Sequence, residues 1–257
     1  MNTFEANRFR PRLEALEDRT CPSTVRVVGN TLFLTGDAGA NKITIVDNGN
    51  GQVQASIGTL HRNASNINSI VVQAGAGNDT VNYKLANPLT GSMAVAVFGG
   101  AGVDTINYQG NADIAEDGGL ALYFDGGLGA DKINVNHTAK LNGVLAVSVF
   151  GGAGNDVIDA KISGDIADGA GAALFVDGGL GTDTVNTNYQ GQLKGALSIL
   201  VRGGNGADTL SATANLSTGS TGSLRAGVFG NLGADILTLN VTGSTADLSS
   251  LSTSIVN

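Results

Sequence analysis

The chain lacks or nearly lacks several residue types that build compact cores. Tryptophan is absent, and aromatic residues make up 5% of the 257 positions, which excludes a bulky aromatic core. A single cysteine, Cys21, excludes an intramolecular disulfide. No stretch approaches the roughly 18 apolar residues of a membrane-spanning helix. Residues 1–25 also lack the apolar segment of a classical secretion signal. The composition leaves a thin core of stacked Val, Ile, Leu and Ala.

Basic side chains are scarce as well, with 14 Lys and Arg against 22 Asp and Glu. Five of the basic residues fall in the first 26 positions, so the remaining body carries nine basic and 18 acidic side chains. Such a body repels nucleic acid and anionic membranes and suits cations. We therefore expect no nucleic-acid partner and no membrane insertion.

Glycine is abundant, at 39 residues, and it recurs in seven turns of the form G-x-G-x-Asp. The successive spacings of the closing aspartates alternate between 25 and 27 residues. A fixed period in this range indicates stacked repeats rather than one central core. The alternation adds a 52-residue super-repeat, with copies at 93–144, 145–196 and 197–248. The closing residues of the turns are Asp79, Asp104, Asp131, Asp156, Asp183, Asp208 and Asp235.

Each unit contains two strand-like runs, one before the glycine turn and one after it. In the first run alternate positions stay apolar, as at Val95, Val147 and Ile199, which indicates a strand with one committed face. In the second run an aliphatic residue stands two positions after each aspartate, and a small polar residue stands three positions after it. Stacking of the coils would place the aliphatic residues inside and the polar residues outside, as a hydrogen-bonding ladder. We predict an all-β, parallel β-solenoid (a β-roll or β-helix) of about seven to eight coils from about Val25 onward, with Val95, Val147 and Ile199 facing inward.

The pattern divides the chain into four segments. Residues 1–24 are predicted to be a leader, either a short helix or a disordered arm. Residues 25–68 form an irregular capping coil, in which Asn41 stands where the other turns have Asp. Residues 69–242 form the regular solenoid, and residues 243–257 form a C-terminal cap or tail.

Stacking places the seven carboxylates in a row with a spacing of about 4.8 Å. Two unit charges at that spacing repel by roughly 3.5 kcal/mol at an effective dielectric constant near 20. Two interpretations account for such a row. Each Asp could cap the backbone N–H groups of its own turn and stay hydrated. Alternatively, Ca²⁺ could lie between coils, held by carboxylates and by the carbonyls of the glycine turns.

The segments GGAGVDTIN, GGLGADKIN and GGAGNDVID resemble the calcium-binding repeat G-G-x-G-x-D-x-U-x of the RTX (haemolysin-type) family. The resemblance implies a parallel β-roll with calcium held between neighbouring turns. Family repeats follow each other directly, whereas about 17 unrelated residues intervene here, which leaves one candidate calcium edge. The turns AGAGND and GNLGAD also lack one glycine. The calcium ligands implied by the resemblance are Asp79, Asp104, Asp131, Asp156, Asp183, Asp208 and Asp235.

The segment RPRLEALEDRTCPS resembles the N-terminal leader of many surface and exported repeat proteins of planctomycete bacteria. The resemblance implies an extracellular or cell-surface location.

Three further groups are candidates for binding. Asp125 and Asp177 directly precede their glycine pairs and could extend the ligand set. Tyr123 and Phe175 align on the outer face, either as a contact strip for a cell-surface polysaccharide or another surface protein, or by packing on neighbouring coils. The edge opposite the glycine turns varies in length, and we expect it to contain the two extra residues of the 27-residue spacing. A weak acidic patch on this variable edge would comprise Asp113, Glu116, Asp117, Asp165 and Asp168.

These patterns favour a non-catalytic, calcium-binding repeat protein with a structural or adhesive role. The alternatives are a β-helix polysaccharide lyase or hydrolase, and a metal-free structural solenoid. We expect no enzyme, because the candidate acid–base groups are scattered and no singular cluster interrupts the repeat. The scattered groups are His61, Lys84, Lys132, His137, Lys140, Lys161, Lys194, Arg202 and Arg225.

Overall fold

A computed structural model describes residues 22–257, and these residues form 20 β-strands and no helix, hence none that could cross a membrane. The predicted N-terminal leader lies outside the described residues except for its last three positions. In chain order the strands are β1 (Thr24–Val28), β2 (Thr31–Thr35), β3 (Lys42–Asp47), β4 (Val53–Ile57), β5 (Leu60–Ala64), β6 (Ser69–Ala76), β7 (Thr80–Leu85), β8 (Ser92–Ala101), β9 (Thr105–Gly110), β10 (Gly119–Leu128), β11 (Lys132–His137), β12 (Val144–Ala153), β13 (Val157–Ser163), β14 (Gly171–Leu180), β15 (Thr184–Gly191), β16 (Ala196–Asn205), β17 (Thr209–Leu216), β18 (Ser223–Leu232), β19 (Ile236–Gly243) and β20 (Ser250–Val256).

The strands build two ten-stranded sheets that face each other. Sheet 1 has the order β1-β2-β6-β8-β10-β12-β14-β16-β18-β20, and sheet 2 has the order β19-β17-β15-β13-β11-β9-β7-β3-β4-β5. From β6 onward the chain alternates between the two sheets, and each strand pairs in parallel with the equivalent strand of the next coil. The predicted parallel β-solenoid is therefore confirmed, with about seven turns. β20, in the segment predicted as a cap or tail, extends sheet 1.

Equivalent residues stack in register along the solenoid. Val95, Val147 and Ile199 lie in one interior row, separated by Leu122 and Leu174, and each is about 2–3% exposed. The predicted inward register is confirmed. It follows from the period-two alternation, because a one-residue slip would turn the whole apolar set to solvent.

The predicted outer ladder on sheet 2 is also present. The Nδ2 of Asn107 donates to Oδ1 of Asn82 at 3.0 Å, and the Nδ2 of Asn134 donates to Oδ1 of Asn107 at 2.7 Å. Asn186 donates to Asp159 in the same way. Amide side chains therefore link successive coils on the outside while aliphatic side chains link them on the inside.

The N-terminal end corrects one expectation. Parallel coils were predicted from about Val25, but β1 pairs antiparallel with β2, and β4 pairs antiparallel with both β3 and β5. The reason is the short connections, because a tight turn can join only antiparallel neighbours. Gly29 and Gly58, with φ of 59° and 55°, supply the positive φ that such turns need.

The variable edge forms a third side between the sheets. Isolated parallel bridges there connect Leu89, Ile114, Leu141, Ile166 and Leu193 in sequence. The extra residues of the 27-residue spacing fall on this side, as predicted; residues 111–118 join β9 to β10, and the shorter 138–143 join β11 to β12. Two members of the predicted acidic patch have a structural role here. The Oδ1 atoms of Asp113 and Asp165 accept the backbone N–H groups of Lys140 and Gln192.

We predict that Leu174→Ala lowers the free energy of unfolding by about 2–5 kcal/mol, because it leaves a cavity in the interior row. The matched control is Leu180→Ala on the same strand, since Leu180 is 54% exposed. That variant should change stability by no more than about 0.5 kcal/mol. Urea denaturation of both variants is the measurement, and equal losses would contradict the assigned register.

Candidate functional site: the aspartate ladder

The structure brings all seven predicted site aspartates together. Each lies just before a sheet 2 strand, and the parallel register places them in one row that we call the aspartate ladder, which comprises Asp79, Asp104, Asp131, Asp156, Asp183, Asp208 and Asp235. The first six are 1–2% exposed, and the last is partly buried. The expectation of a hydrated edge is therefore wrong. The carboxylates point into the turns, where water is excluded.

Each carboxylate of the aspartate ladder accepts a hydrogen bond from the coil before it. The Oδ1 of Asp104 accepts the backbone N–H of Asp79 at 2.7 Å, and Oδ1 of Asp131 accepts that of Asp104 at 2.7 Å. The series continues unbroken to Asp235 at 2.7–2.9 Å. The aspartates thus cap neighbouring coils, and not their own turns as one interpretation had it. Such a bond to a charged acceptor contributes about 1.5–3 kcal/mol.

The head of the aspartate ladder is Asn41, which donates its backbone N–H to Oδ1 of Asp79 at 2.7 Å. Its Nδ2 also donates to the carbonyl of Gly39 at 2.5 Å. The capping coil therefore closes its turn with a neutral side chain, as the substitution of Asn for Asp predicted.

In six of the seven turns the glycine five residues before the aspartate makes room for the carboxylate, whereas the first turn has Ala74 at this position. A Cβ added to Gly126 would lie 2.5 Å from Oδ2 of Asp131 and 2.5 Å from the carbonyl oxygen of Gly151. No side chain fits in that space. The second glycine has a different role, because Gly100 and its equivalents have φ near +100°. Asn231 takes that position in the last turn with φ of 78°, which Asn tolerates better than other residues.

The second oxygen of every ladder aspartate, Oδ2, is buried and has no hydrogen-bond partner among the described residues. Burial, the main influence, raises the pKa of Asp156 to about 7 and those of Asp104 and Asp183 to about 6. The bond from the preceding coil opposes the rise in each case, and neighbouring carboxylates add to it. Burial also raises the pKa of Asp79, Asp131 and Asp208.

Asp125 and Asp177 lie on the outer face of sheet 1, in register with Phe98, Phe150 and Arg202. Their charges still influence the pKa values of the ladder aspartates. After burial and the inter-coil hydrogen bond, the charge of Asp125 raises the pKa of Asp131. They therefore add negative charge beside the row from the other face of the strand.

The oxygen atoms of the aspartate ladder are of the type that binds a hard cation. Each coil offers one carboxylate oxygen that has no hydrogen-bond partner among the described residues. A carbonyl oxygen of the next coil lies near it, since a Cβ built on Gly126 would be 2.5 Å both from Oδ2 of Asp131 and from the carbonyl oxygen of Gly151. Calcium prefers such carboxylate and carbonyl oxygens. Within residues 22–257 no three Asp, Glu, His or Cys side chains converge as a metal cluster. A calcium ion on this row would therefore depend on backbone carbonyls for most of its ligands.

The outer aromatic residues of sheet 1 pack on one another. Ring centroids of Phe98, Tyr123, Phe150 and Phe175 follow each other at 5.3–5.5 Å, and the guanidinium of Arg202 lies 5.4 Å from the Phe175 centroid. Neighbour packing, one of the two interpretations of Tyr123 and Phe175, is therefore present. A partner for this strip stays a prediction.

Two buried polar pairs were missed from the sequence. The Tyr83 hydroxyl donates to Oδ2 of Asp47 at 2.9 Å, and the Tyr108 hydroxyl lies 3.0 Å from Nδ1 of His137. Burial lowers the pKa of His137 to about 4, so this imidazole is neutral at pH 7. A glycine inside a strand was the available signal, because Gly110, in register with His137, leaves the space that the pair fills.

The candidate acid–base groups of an enzyme stay apart. Lys84 and Lys161 lie on sheet 2, whereas Arg202 and Arg225 lie on sheet 1. His61 is exposed on the terminal strand β5, and His137 is buried.

No protein-family model, no curated protein and no solved structure matches this chain significantly.

We predict that Gly126→Ala costs about 1–3 kcal/mol of stability, because the added methyl group would displace the Asp131 carboxylate and the Gly151 carbonyl. The control is Gly119→Ala on the same strand, where the nearest heavy atom to an added Cβ is 3.6 Å away. Thermal unfolding of both variants is the measurement. A benign Gly126→Ala would show that the carboxylate does not occupy the turn.

Without metal, the raised aspartate pKa values should make the protein less stable as pH rises. The folded state holds its protons up to pH 6–7, whereas unfolded aspartates lose theirs near the model value of 3.8. This stabilisation is complete below about pH 4 and is lost through pH 7. The lowered pKa of His137 has the opposite effect, because it makes the protein more stable as pH rises from about 4 to the unfolded-state pKa of 6.5.

The measurement is the unfolding midpoint in chelator from pH 5 to pH 8, for wild type and Asp156→Asn. The variant keeps His137 but loses one titrating carboxyl, so its midpoint should fall less across this range. Parallel pH profiles would show that Asp156 is ionised throughout.

Proposed function

We propose that the protein is a non-catalytic, calcium-binding structural solenoid that acts as a spacer or adhesive scaffold at the cell surface or outside the cell. One observation carries the proposal: the aspartate ladder holds seven carboxylates whose Oδ2 atoms lack a partner among the described residues. An ionised carboxylate that leaves water is costly unless it is paired. Protons or cations must therefore neutralise the row.

Calcium is favoured over protons at neutral and alkaline pH. Above pH 7 the folded-state pKa values leave most of these groups ionised. Repulsion between successive carboxylates then rises with each coil added, and a cation shared by two coils would remove it. The residues that would hold the ion are the ladder aspartates, together with the first glycine carbonyls of adjacent turns. Binding would stabilise the stack, because the site exists only when the coils are folded.

The scaffold role follows from the shape. Each coil contacts only its neighbours, so the body extends along one axis instead of closing around one core. Seven coils at the strand spacing give a rod of roughly 35 Å. The location outside the cell depends on the leader resemblance in residues 10–23. The partner class, a surface polysaccharide or another surface protein, is proposed for the outer strip that contains Tyr123 and Phe175.

A metal-free structural solenoid is the second candidate, and Asn41 favours it. This neutral side chain closes its turn by donating a hydrogen bond to the carbonyl of Gly39. Protonated aspartates could close the other turns similarly. A polysaccharide lyase or hydrolase is the third candidate, and no observation favours it, since the basic side chains are divided between the sheets.

We predict that excess calcium at pH 8 raises the unfolding midpoint relative to chelator. One site at a calcium concentration of a hundred times Kd contributes about 2.7 kcal/mol. For a chain of this size that is roughly 5–10 °C. Asp156→Asn should reduce the rise, because its carboxylate faces two neighbours, and Asp235→Asn at the end of the row should reduce it less.

Magnesium is the control, because it retains its water and prefers few protein ligands. Equal midpoints in calcium and in chelator would contradict the calcium proposal and favour the metal-free solenoid. A calcium effect of the same size in Asp156→Asn would place the ion away from the aspartate ladder.

A further inference from the structure

The two ends of the solenoid differ in how their strands finish. At the N-terminal end the antiparallel strands β1 and β5 are the last members of the sheets. They carry Arg26, His61 and Arg62 on the open edges. At the C-terminal end β19 and β20 are the last members, and within residues 22–257 no strand pairs with their far sides. We refer to β19 and β20 together as the C-terminal end face.

The interior apolar rows continue onto the C-terminal end face but lose their cover. Leu251 and Ile255 are in register with Leu224 and Val228, which are 1% and 0% exposed. Leu251 itself is 48% exposed and Ile255 is 52% exposed. Removing such side chains from water contributes about 25 cal/mol for each Å² buried. The C-terminal end face therefore exposes an interior apolar row that no further coil covers within residues 22–257.

The chemistry of these two strands does not block pairing. β19 (ILTLNVTG) and β20 (SLSTSIV) contain no charged residue and no proline. Natural edge strands usually carry such residues to prevent association with another chain. β1 and β5 follow that rule with their arginines, whereas β19 and β20 do not.

We propose that the C-terminal end face is a self-association surface that binds the same face of a second copy of this chain. Two identical faces meet about a two-fold axis, which makes β19 and β20 run antiparallel to their copies. Antiparallel pairing satisfies the open N–H and C=O groups of both edges at once. The uncovered rows around Leu251 and Ile255 then cover each other. The resulting rod has twice the number of coils, with the arginine-bearing strands β1 and β5 of both copies away from the junction.

Head-to-tail stacking is the competing arrangement, and charge disfavours it. It would place Arg62, which is in register with the interior residue Ala55, against strands without a carboxylate, and burying an unpaired charge is costly. It would also repeat without closing and give fibres. The self-association surface does not depend on the calcium proposal, because it involves neither the ladder carboxylates nor a cation.

The test is sedimentation equilibrium of the 257-residue chain and two variants, in chelator and in calcium. The wild type should have twice the chain mass of 25.7 kDa. Ile255→Lys should halve that mass, because it puts a charge on the self-association surface. The matched control is Val28→Lys, since Val28 is 55% exposed on β1 at the other end. This variant should remain a dimer.

Three results would overturn the proposal: a monomeric wild type, loss of the dimer in Val28→Lys, or open-ended polymers. Hydrogen exchange of the wild type gives a reading without substitution, in case Ile255→Lys unfolds its strand. Amides of β19 and β20 should be protected at high concentration and exchange faster on dilution, whereas those of β1 should not change. Concentration-independent exchange of β20 would equally overturn the proposal.

Discussion

The hydrogen bond from a backbone N–H to the aspartate Oδ1 of the next coil is the constraint on which this architecture depends. Repeated from Asn41 to Asp235, it ties each glycine turn to the next at 2.7–2.9 Å. It fixes the carboxylate inside the turn, where it lies 2.5 Å from the position that a Cβ on Gly126 would occupy. It also keeps successive coils in register, which lets the interior aliphatic rows and the outer amide ladder form.

The same arrangement creates an electrostatic cost. Each carboxylate uses one oxygen for the neighbouring coil and leaves the other buried without a partner among the described residues. Burial and like charge then raise the pKa most at Asp156, in the middle of the row. At the N-terminal end the neutral Asn41 avoids the problem. The raised pKa values of the interior members link the stability of the rod to pH.

The periodicity alone predicted the stacked coils, the inward row through Val95 and the longer loops of the third side, because these follow from repeat spacing and strand alternation. It did not predict that the aspartates turn inward. That direction depends on space between coils, as where Asp131 approaches Gly126 beside the carbonyl of Gly151. The Tyr108–His137 contact spans 29 residues and depends on packing across coils, which a single repeat does not encode. The antiparallel N-terminal strands follow from tight turns that interrupt the repeat.

The most direct measurement of the central claim is a carbon-13 NMR titration of the aspartate side-chain carboxyls in chelator. The account predicts a group of resonances, led by Asp156, that titrate between about pH 6 and pH 7, well above the ordinary value of 3.8. If every aspartate titrated near pH 4, the carboxylates would be hydrated, and the buried aspartate ladder would be contradicted.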